Sequence, residues 1–374
     1  MIAGVKKKIT DNIKNIKGWK TNRKIVVFSV DDYGNVRLAS KHARENLDKA
    51  GMPAKSRFDK YDTLETKEDL EHLFDVLTSV KDKHGNPAVF TPFALPANID
   101  FEKVIENNYD GYYYELLPQT LAKLPGYEKV WDLWQEGIKN RLLLPQFHGR
   151  EHLNLKVFNE LLSAKDPQII TALQNRSYTS IDFKKYPSIS YTAAFDFDKF
   201  EENETFKDAI VDGLDVFEKV FGYRAIHFNP PGGRENPVLH PLLFEKGIKI
   251  LDTPSDKKEH LGNGQYKKVF NYMGKENGSG QLFMIRNAVF EPTQDNSDWV
   301  AMTMQQIATA FRWKKPAVIS SHRVNFCGLI DEKNRQDGLQ ALRQLLQQIV
   351  KRWPDVEFMA ANELGELILS DKNV

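Results

Sequence analysis

The run Ile25 to Val30 constrains this chain most. It is apolar and rich in β-branched residues, and it reads as a buried strand. It stops at two adjacent carboxylates, Asp31 and Asp32, followed by Tyr33 and the turn formers Gly34 and Asn35. Buried parallel strands commonly present functional groups at their carboxyl ends, where the loops gather. Neighbouring strand residues point to opposite sides, so the two aspartates are expected to do different jobs. One can bind a cation while the other moves a proton. A plain turn is the alternative reading of the same residues.

The pattern then repeats. A helix is expected over 37–50, and another after Thr66, whose spacing to Asp69 resembles a capping box. Ala88 to Phe93 reads as a strand, as do Ile226 to Phe228, Ile248 to Leu251, Leu282 to Phe290 and Ala317 to Ser321. Helical periodicity lies between them, at about 204–221, 237–246 and 296–313, with a long amphipathic helix through Leu339 to Ile349. Alternation of this kind argues for one barrel-like α/β domain over 25–371. Residues 255–280 are polar and Gly-rich, hence loop or hairpin. Residues 100–135 form an aromatic-rich insertion with Tyr109, Tyr112, Tyr113, Tyr114, Tyr127, Trp131 and Trp134. It is either a platform for sugars or partners, or a segment packing its own small core.

Residues 1–24 are different. Ile2, Val5, Ile9, Ile13, Ile16 and Trp19 recur at steps of three and four, with Lys6, Lys7, Lys8, Lys14, Lys17 and Lys20 on the other faces. A basic amphipathic helix of this type can lie on an anionic membrane surface. The more economical expectation is that the stripe packs against the body of the fold.

Bulk composition narrows the chemistry. The 374 residues carry 52 Lys and Arg against 51 Asp and Glu, which gives no reason to expect a nucleic-acid partner. Cys327 is the only cysteine, so a disulfide framework and a cysteine-rich zinc site are excluded. It reads as a buried small residue. A metal here must be held by His and carboxylate. No apolar run is long enough to span a bilayer and no signal-peptide core is visible, so the expected compartment is the cytoplasm.

His148 and His152 are four apart, and on a helical turn they would share one face and grip one ion. Alone the pair is a weak signal. It gains weight because Asp31-Asp32, the Pro230-Pro231-Gly232-Gly233 loop and His322 also sit where apolar strands end. On a barrel those ends meet at one face. One aspartate and two histidines leave an open position on a cation, as catalytic sites do.

The order Val30-Asp31-Asp32-Tyr33-Gly34, His148-x-x-x-His152, Phe228-x-Pro230-Pro231-x-Gly233 and a late strand ending in His322 resembles the polysaccharide deacetylases of carbohydrate esterase family 4, the NodB-homology superfamily. The opening motif is also similar to that of YdjC-type sugar deacetylases. The resemblance implies a distorted (β/α)7 barrel of the glycoside hydrolase/deacetylase type and a divalent metal, most often zinc. By motif position it implies Asp32, His148 and His152 as metal ligands and Asp31 as general base. His322 would be the acid that protonates the leaving amine. The substrate would be an N- or O-acetylated sugar or polysaccharide, attacked by a water activated on the metal. Gly232 and Gly233, with Asn229, Pro231, Arg234 and Arg286, would line the substrate's place.

Three departures from the family pattern stand out. The third motif has Asn229 where the family has the Arg that orients the base; Arg234 or Arg286 are the candidates to replace it. Gly149 follows the first histidine where the family has Ser or Thr. The fourth motif has no clear match, and Asp252 is the nearest candidate. Loss of the motif Arg leaves a second reading, a barrel that binds glycans without cleaving them. A third reading takes His148-x-x-Glu151-His152 as an inverted zinc-peptidase motif, with Glu151 as base and Glu218 as a further ligand.

Overall fold

A computed structural model describes residues 10–372. The strands, in chain order, are β1 (Lys24–Tyr33), β2 (Phe90–Ala94), β3 (Ala97–Ile99), β4 (Tyr114–Leu116), β5 (Gln146–Phe147), β6 (His227–Phe228) and β7 (Ile250–Asp252). They continue as β8 (Asp256–Gly262), β9 (Gln265–Phe270), β10 (Leu282–Met284), β11 (Ala288–Val289), β12 (Ala317–His322) and β13 (Val356–Phe358). The main sheet runs β10-β7-β6-β5-β2-β1-β12-β11, and every neighbour in it is parallel. Helices fill the crossovers, as parallel pairing demands.

The two ends of this sheet, β10 and β11, are halves of one stretch of chain, separated only by Ile285, Arg286 and Asn287. The sheet therefore curls round until its ends meet in a single kinked stave. The result is a distorted barrel of seven staves. The expected single strand over 282–290 is thus broken in two. At the break the Asn287 side chain takes over from the ladder: its Oδ1 accepts from Val318 N at 2.9 Å. The strand β13 pairs only with the foot of β1, at Lys24 to Val26.

Alternation along the staves sorts the side chains. Ile25, Val27, Ile250, Leu282, Met284 and Val318 form one buried cluster with Ala361, Leu364 and Ile368 of the C-terminal helix Ala361–Lys372. This is the barrel interior with its floor. Val26, Phe28 and Val30 face the other way, into the large cluster shared with the outer helices. Gly365 lets the floor helix approach, since a Cβ there would lie 2.1 Å from Ile250 Cδ1.

The aromatic insertion makes neither a separate core nor an exposed platform. Trp134 is fully buried in the main cluster, and its Nε1 donates to Glu65 at 3.0 Å. Tyr112 and Tyr114 pack against the same cluster and donate to Glu151 and Asp212. Residues 255–280 contain the antiparallel hairpin β8–β9.

The arm docks the opposite way from the economical expectation. A helix covers 10–16. Its polar side faces the barrel: Asn15 accepts from Asn287 at 2.8 Å, Asp11 from Gln306 at 3.3 Å, and Asn12 from Trp313 at 2.8 Å. Ile13 and Ile16 are instead 47% and 46% exposed. Trp19 alone of the described stripe packs inward, beside the floor cluster. Ile2, Val5, Ile9 and Lys6 to Lys8 lie outside the described residues. No helix among the described residues is long and apolar enough to cross a membrane.

Candidate metal and catalytic site

Because all seven staves are parallel, their carboxyl ends share one rim. The inward positions of each stave continue from the floor to that rim. Asp31 follows Val27 by four, Asp252 follows Ile250 by two, Arg286 follows Met284 by two, and His322 follows Val318 by four. His148 and Asn229 come directly after Phe147 and Phe228, which face outward. These residues converge on a cavity of about 590 Å³ that is also lined by Asp32, Arg37, Phe58, His152, Gly232, Gly233 and Ser320.

Simple alternation would send Asp32 out of the barrel. It does not go, because the register between β1 and β2 shifts after Val30 and Asp32 takes φ +76°. A left-handed conformation in a residue other than glycine costs on the order of 1 kcal/mol and is found where function holds it. Both aspartates therefore reach the same cavity with different partners.

Asp32 meets the two histidines. Its Oδ1 lies 3.0 Å from His152 Nε2 and 3.5 Å from His148 Nε2. One ligand atom from each of the three residues lies within 4.8 Å of the others, and all three are buried. Asp32 Oδ1, His148 Nε2 and His152 Nδ1 have no hydrogen-bond partner. Buried polar atoms are rarely left so; Asp32 Oδ1 and His148 Nε2 face each other without a partner, His152 presents Nε2 to the same oxygen, and this Asp/His/His set fits a divalent cation. His148 Nδ1 lies 2.7 Å from the Asn229 carbonyl, the contact that leaves Nε2 free as a ligand. Burial opposes the charge of Asp32, yet His152 and His148 beside it hold its carboxyl well below the usual range.

The two histidines do not share a helical turn. Residues 148–154 are a loop, and the helix Leu155–Ser163 begins only after the Asn154 cap. Gly149 breaks the turn with φ +102°, and a Cβ there would lie 3.2 Å from the Glu151 carbonyl and 3.3 Å from Pro231 Cγ. That close approach is a physical reason for Gly where Ser or Thr was expected.

Asp31 has a different set of partners. Arg286 donates to both its oxygens at 2.7 and 2.8 Å, and Asn229 Nδ2 donates to Oδ1 at 2.9 Å. Arg286 also donates to Asp252 at 2.7 Å, and Asp252 in turn meets His227 Nε2 at 2.9 Å. Of the two arginines proposed to replace the one missing from the third motif, Arg286 on the kinked stave is the one that reaches Asp31. Arg234 is not brought to the cavity; it pairs with Asp196. Pro231 is buried against Gly149 and does not line the cavity.

His322 stands across from this pair, with Nε2 3.9 Å from Asp31 Oδ2. Its Nδ1 lies 2.6 Å from Glu291 Oε1. Burial works against the imidazolium, but Glu291 outweighs it and raises the group to about 9. The sequence offered no role for Glu291. The signal was its position at the end of a stave, one strand over from His322.

The peptidase reading does not survive this geometry. Glu151 is held by Arg150 and Tyr112 and does not line the cavity, and Glu218 lies on the surface with Arg224. Cys327 is buried, and burial pushes its thiol well up.

No protein-family model and no curated protein matches this chain. Among solved structures, a Mycobacterium smegmatis protein assigned as a polysaccharide deacetylase is 11% identical, with a TM-score of 0.46, covering 95% of this chain and 94% of that one. A Pseudomonas aeruginosa PAO1 protein assigned likewise is 10% identical, with a TM-score of 0.45 and coverage of 92% and 91%. An allantoinase, PuuE, is 11% identical, with a TM-score of 0.46 and coverage of 93% and 91%. Likenesses at this level carry nothing about chemistry, which rests on the residues described above.

Proposed function

We propose that this chain is a metal-dependent hydrolase that removes acetyl groups from an N- or O-acetylated carbohydrate. The observation that carries the reading is the division of labour at one rim. Asp32, His148 and His152 bring ligand atoms together, those of Asp32 and His148 unpartnered, while Asp31 and His322 flank the same cavity in separate hydrogen-bond networks.

Asp32, His148 and His152 would hold a divalent cation, with zinc the first choice for this donor set. When bound, the cation supplies Lewis acidity toward an acetyl carbonyl and makes a water easier to deprotonate. Asp31, fixed by Arg286 and Asn229, accepts the proton of the attacking water. His322, kept protonated by Glu291, donates to the departing nitrogen or oxygen. Gly232 and Gly233 offer a rim without side chains beside which a sugar can lie. Arg286 on Asp31 supports catalysis over the glycan-binding reading, because that reading rested on the missing arginine.

The test is metal content and acetate release together. Purified protein should carry, or take up, about one divalent ion per chain and release acetate from an acetylated sugar or oligosaccharide. Protein that takes up no ion after reconstitution overturns the mechanism. Protein that takes up an ion but releases no acetate points back to glycan binding.

We propose also that the barrel, a cytoplasmic protein on this reading, touches an anionic membrane surface through its arm. Ile13 and Ile16 are exposed on the docked helix, Lys14, Lys17 and Lys20 accompany them, and Asp11, the only carboxylate before Lys24, is buried against Gln306. Wild type should sediment with anionic vesicles and not with zwitterionic ones, and the double variant Ile13→Asp, Ile16→Asp should stay in solution. Equal sedimentation of both proteins would remove this idea.

A further inference from the structure

Arg37 lines the cavity beside the candidate metal site and is only 8% exposed. Its backbone is fixed: Val36 N donates to Asn98 at 2.7 Å, and the Arg37 carbonyl accepts from Tyr178 N. Its guanidinium makes no hydrogen bond among the described residues, and its Nε is buried without a partner. The nearest carboxylate oxygen, Asp62 Oδ2, lies at 3.6 Å, beyond hydrogen-bond reach, while Arg323 holds Asp62 Oδ1 at 2.8 Å.

The other buried arginines are committed. Arg44 bonds Ser180, Arg286 bonds Asp31 and Asp252, Arg323 bonds Asp62 and Glu65, and Arg335 bonds Asp69. A guanidinium has five donors, and leaving them unused away from water is costly. Arg37 is instead propped in place by a ring. Its Cζ lies 5.1 Å from the centre of Phe58, and that ring also stands edge-on to His322, with centres 5.2 Å apart. A buried, rigidly backed and unsatisfied guanidinium at the rim of a cavity is built to receive an oxyanion.

We infer that Arg37 anchors an anionic substituent, a carboxylate or phosphate, of the acetylated sugar. This inference rests on the deacetylase reading and narrows its substrate to acidic sugars. The planar fork of Arg37 takes two oxygens of the substituent at once, and this places the acetyl group toward Asp31 and His322. The Asp62 pair at 3.6 Å is loose enough to yield when the substituent arrives.

The experiment compares metal-loaded wild type with Arg37→Met and Arg37→Lys. The substrates are an N-acetylated uronic-acid disaccharide, its carboxyl-reduced neutral counterpart and N-acetylglucosamine 6-phosphate. Melting temperatures check that each variant is folded. Wild type should favour an anionic substrate over the neutral one by about 10- to 100-fold in kcat/KM, through KM. Arg37→Met should bring that ratio to about one, and Arg37→Lys should fall between. Preference for the phosphate over the uronate supports the same site and names its anion. Equal rates on neutral and anionic substrates in wild type overturn the inference and leave the deacetylase reading standing. If no substrate releases acetate, that reading fails instead. Calorimetric titration with glucuronate and with inorganic phosphate then decides for Arg37 alone: binding lost in Arg37→Met supports an anion site, and equal binding in wild type and variant overturns it.

Discussion

Arg286 grips both carboxylate oxygens of Asp31, at 2.7 and 2.8 Å, from the point where the last stave of the barrel kinks. The contact is a bidentate, charge-assisted pair, which fixes direction as well as charge. Arg286→Met should leave the cation in place and lower kcat by about 100-fold, the scale of a misplaced general base. Arg286→Lys should recover only part, since one ammonium cannot hold two oxygens in a plane. Steady-state kinetics with metal analysis checks this. An Arg286→Met protein with wild-type kcat would show that Asp31 needs no such partner.

Two residues adjacent in sequence should behave oppositely. Asp32→Asn, His148→Ala and His152→Ala should each lose most bound metal. Asp31→Asn should keep it and lose turnover. Mass spectrometry of the metal content, with acetate release on the same samples, separates the cases. Loss of metal in Asp31→Asn to the same degree as in Asp32→Asn would contradict the division.

Glu291 raises the His322 imidazolium to about 9 against the cost of burial. In the proposed role of general acid, His322 must be protonated, so activity should be present at lower pH and lost as pH rises through its pKa. Glu291→Gln removes the raising partner, and the alkaline limb of the kcat profile should move to lower pH. An unmoved limb, in a variant with an unchanged melting temperature, would assign that limb to another group.

Away from the site, Glu235 is buried with Lys257 and His240. Burial would raise its carboxyl, but Lys257 and His240 hold it at about 2, below the ordinary 4.5. A carboxyl depressed in the folded state adds stability that is complete above the unfolded value and is lost as pH falls toward the folded one. Urea unfolding from pH 6 downward should show a loss on the order of 2 kcal/mol from this group between about pH 4.5 and 2. Glu235→Gln should flatten that part of the curve. The same acid slope in both proteins would place the effect elsewhere.

Gly149→Ala tests the loop that carries the histidines. Its φ of +102° strains any side chain, and neighbours 3.2 and 3.3 Å from a Cβ would have to give way by a few tenths of an ångström. The variant should lose at least about 1 kcal/mol of stability and bind metal more weakly. Wild-type metal affinity in Gly149→Ala would mean that the loop tolerates a different path.

Much of this was legible because burial on both faces leaves a plain signature. Ile25 to Val30 and Ala317 to Ser321 announce parallel strands, and the polar residues that end them announce a rim. What the sequence concealed were departures from regular geometry. Alternation would have sent Asp32 outward; only a register shift against β2 turns it in. A four-residue histidine spacing suggests a helix, but Gly149 makes it a loop. The arm shows two stripes at helical spacing, one of isoleucines and one containing Asp11 and Asn15. Nothing local says that Gln306 and Asn287 wait for the polar one. Arg286 was within reach, since it shares the inward parity of Met284 two residues earlier.

The kinked stave also divides the candidate site between two parts of the sheet. Asp32, His148 and His152 come from β1 and from the loop after β5, on the continuous part of the sheet. Arg286 comes from the seam, where β10 turns from β7 toward β12. The candidate cation pocket and the aim of Asp31 therefore depend on different joints of the sheet, the first on the shift between β1 and β2 and the loop after β5, the second on the seam.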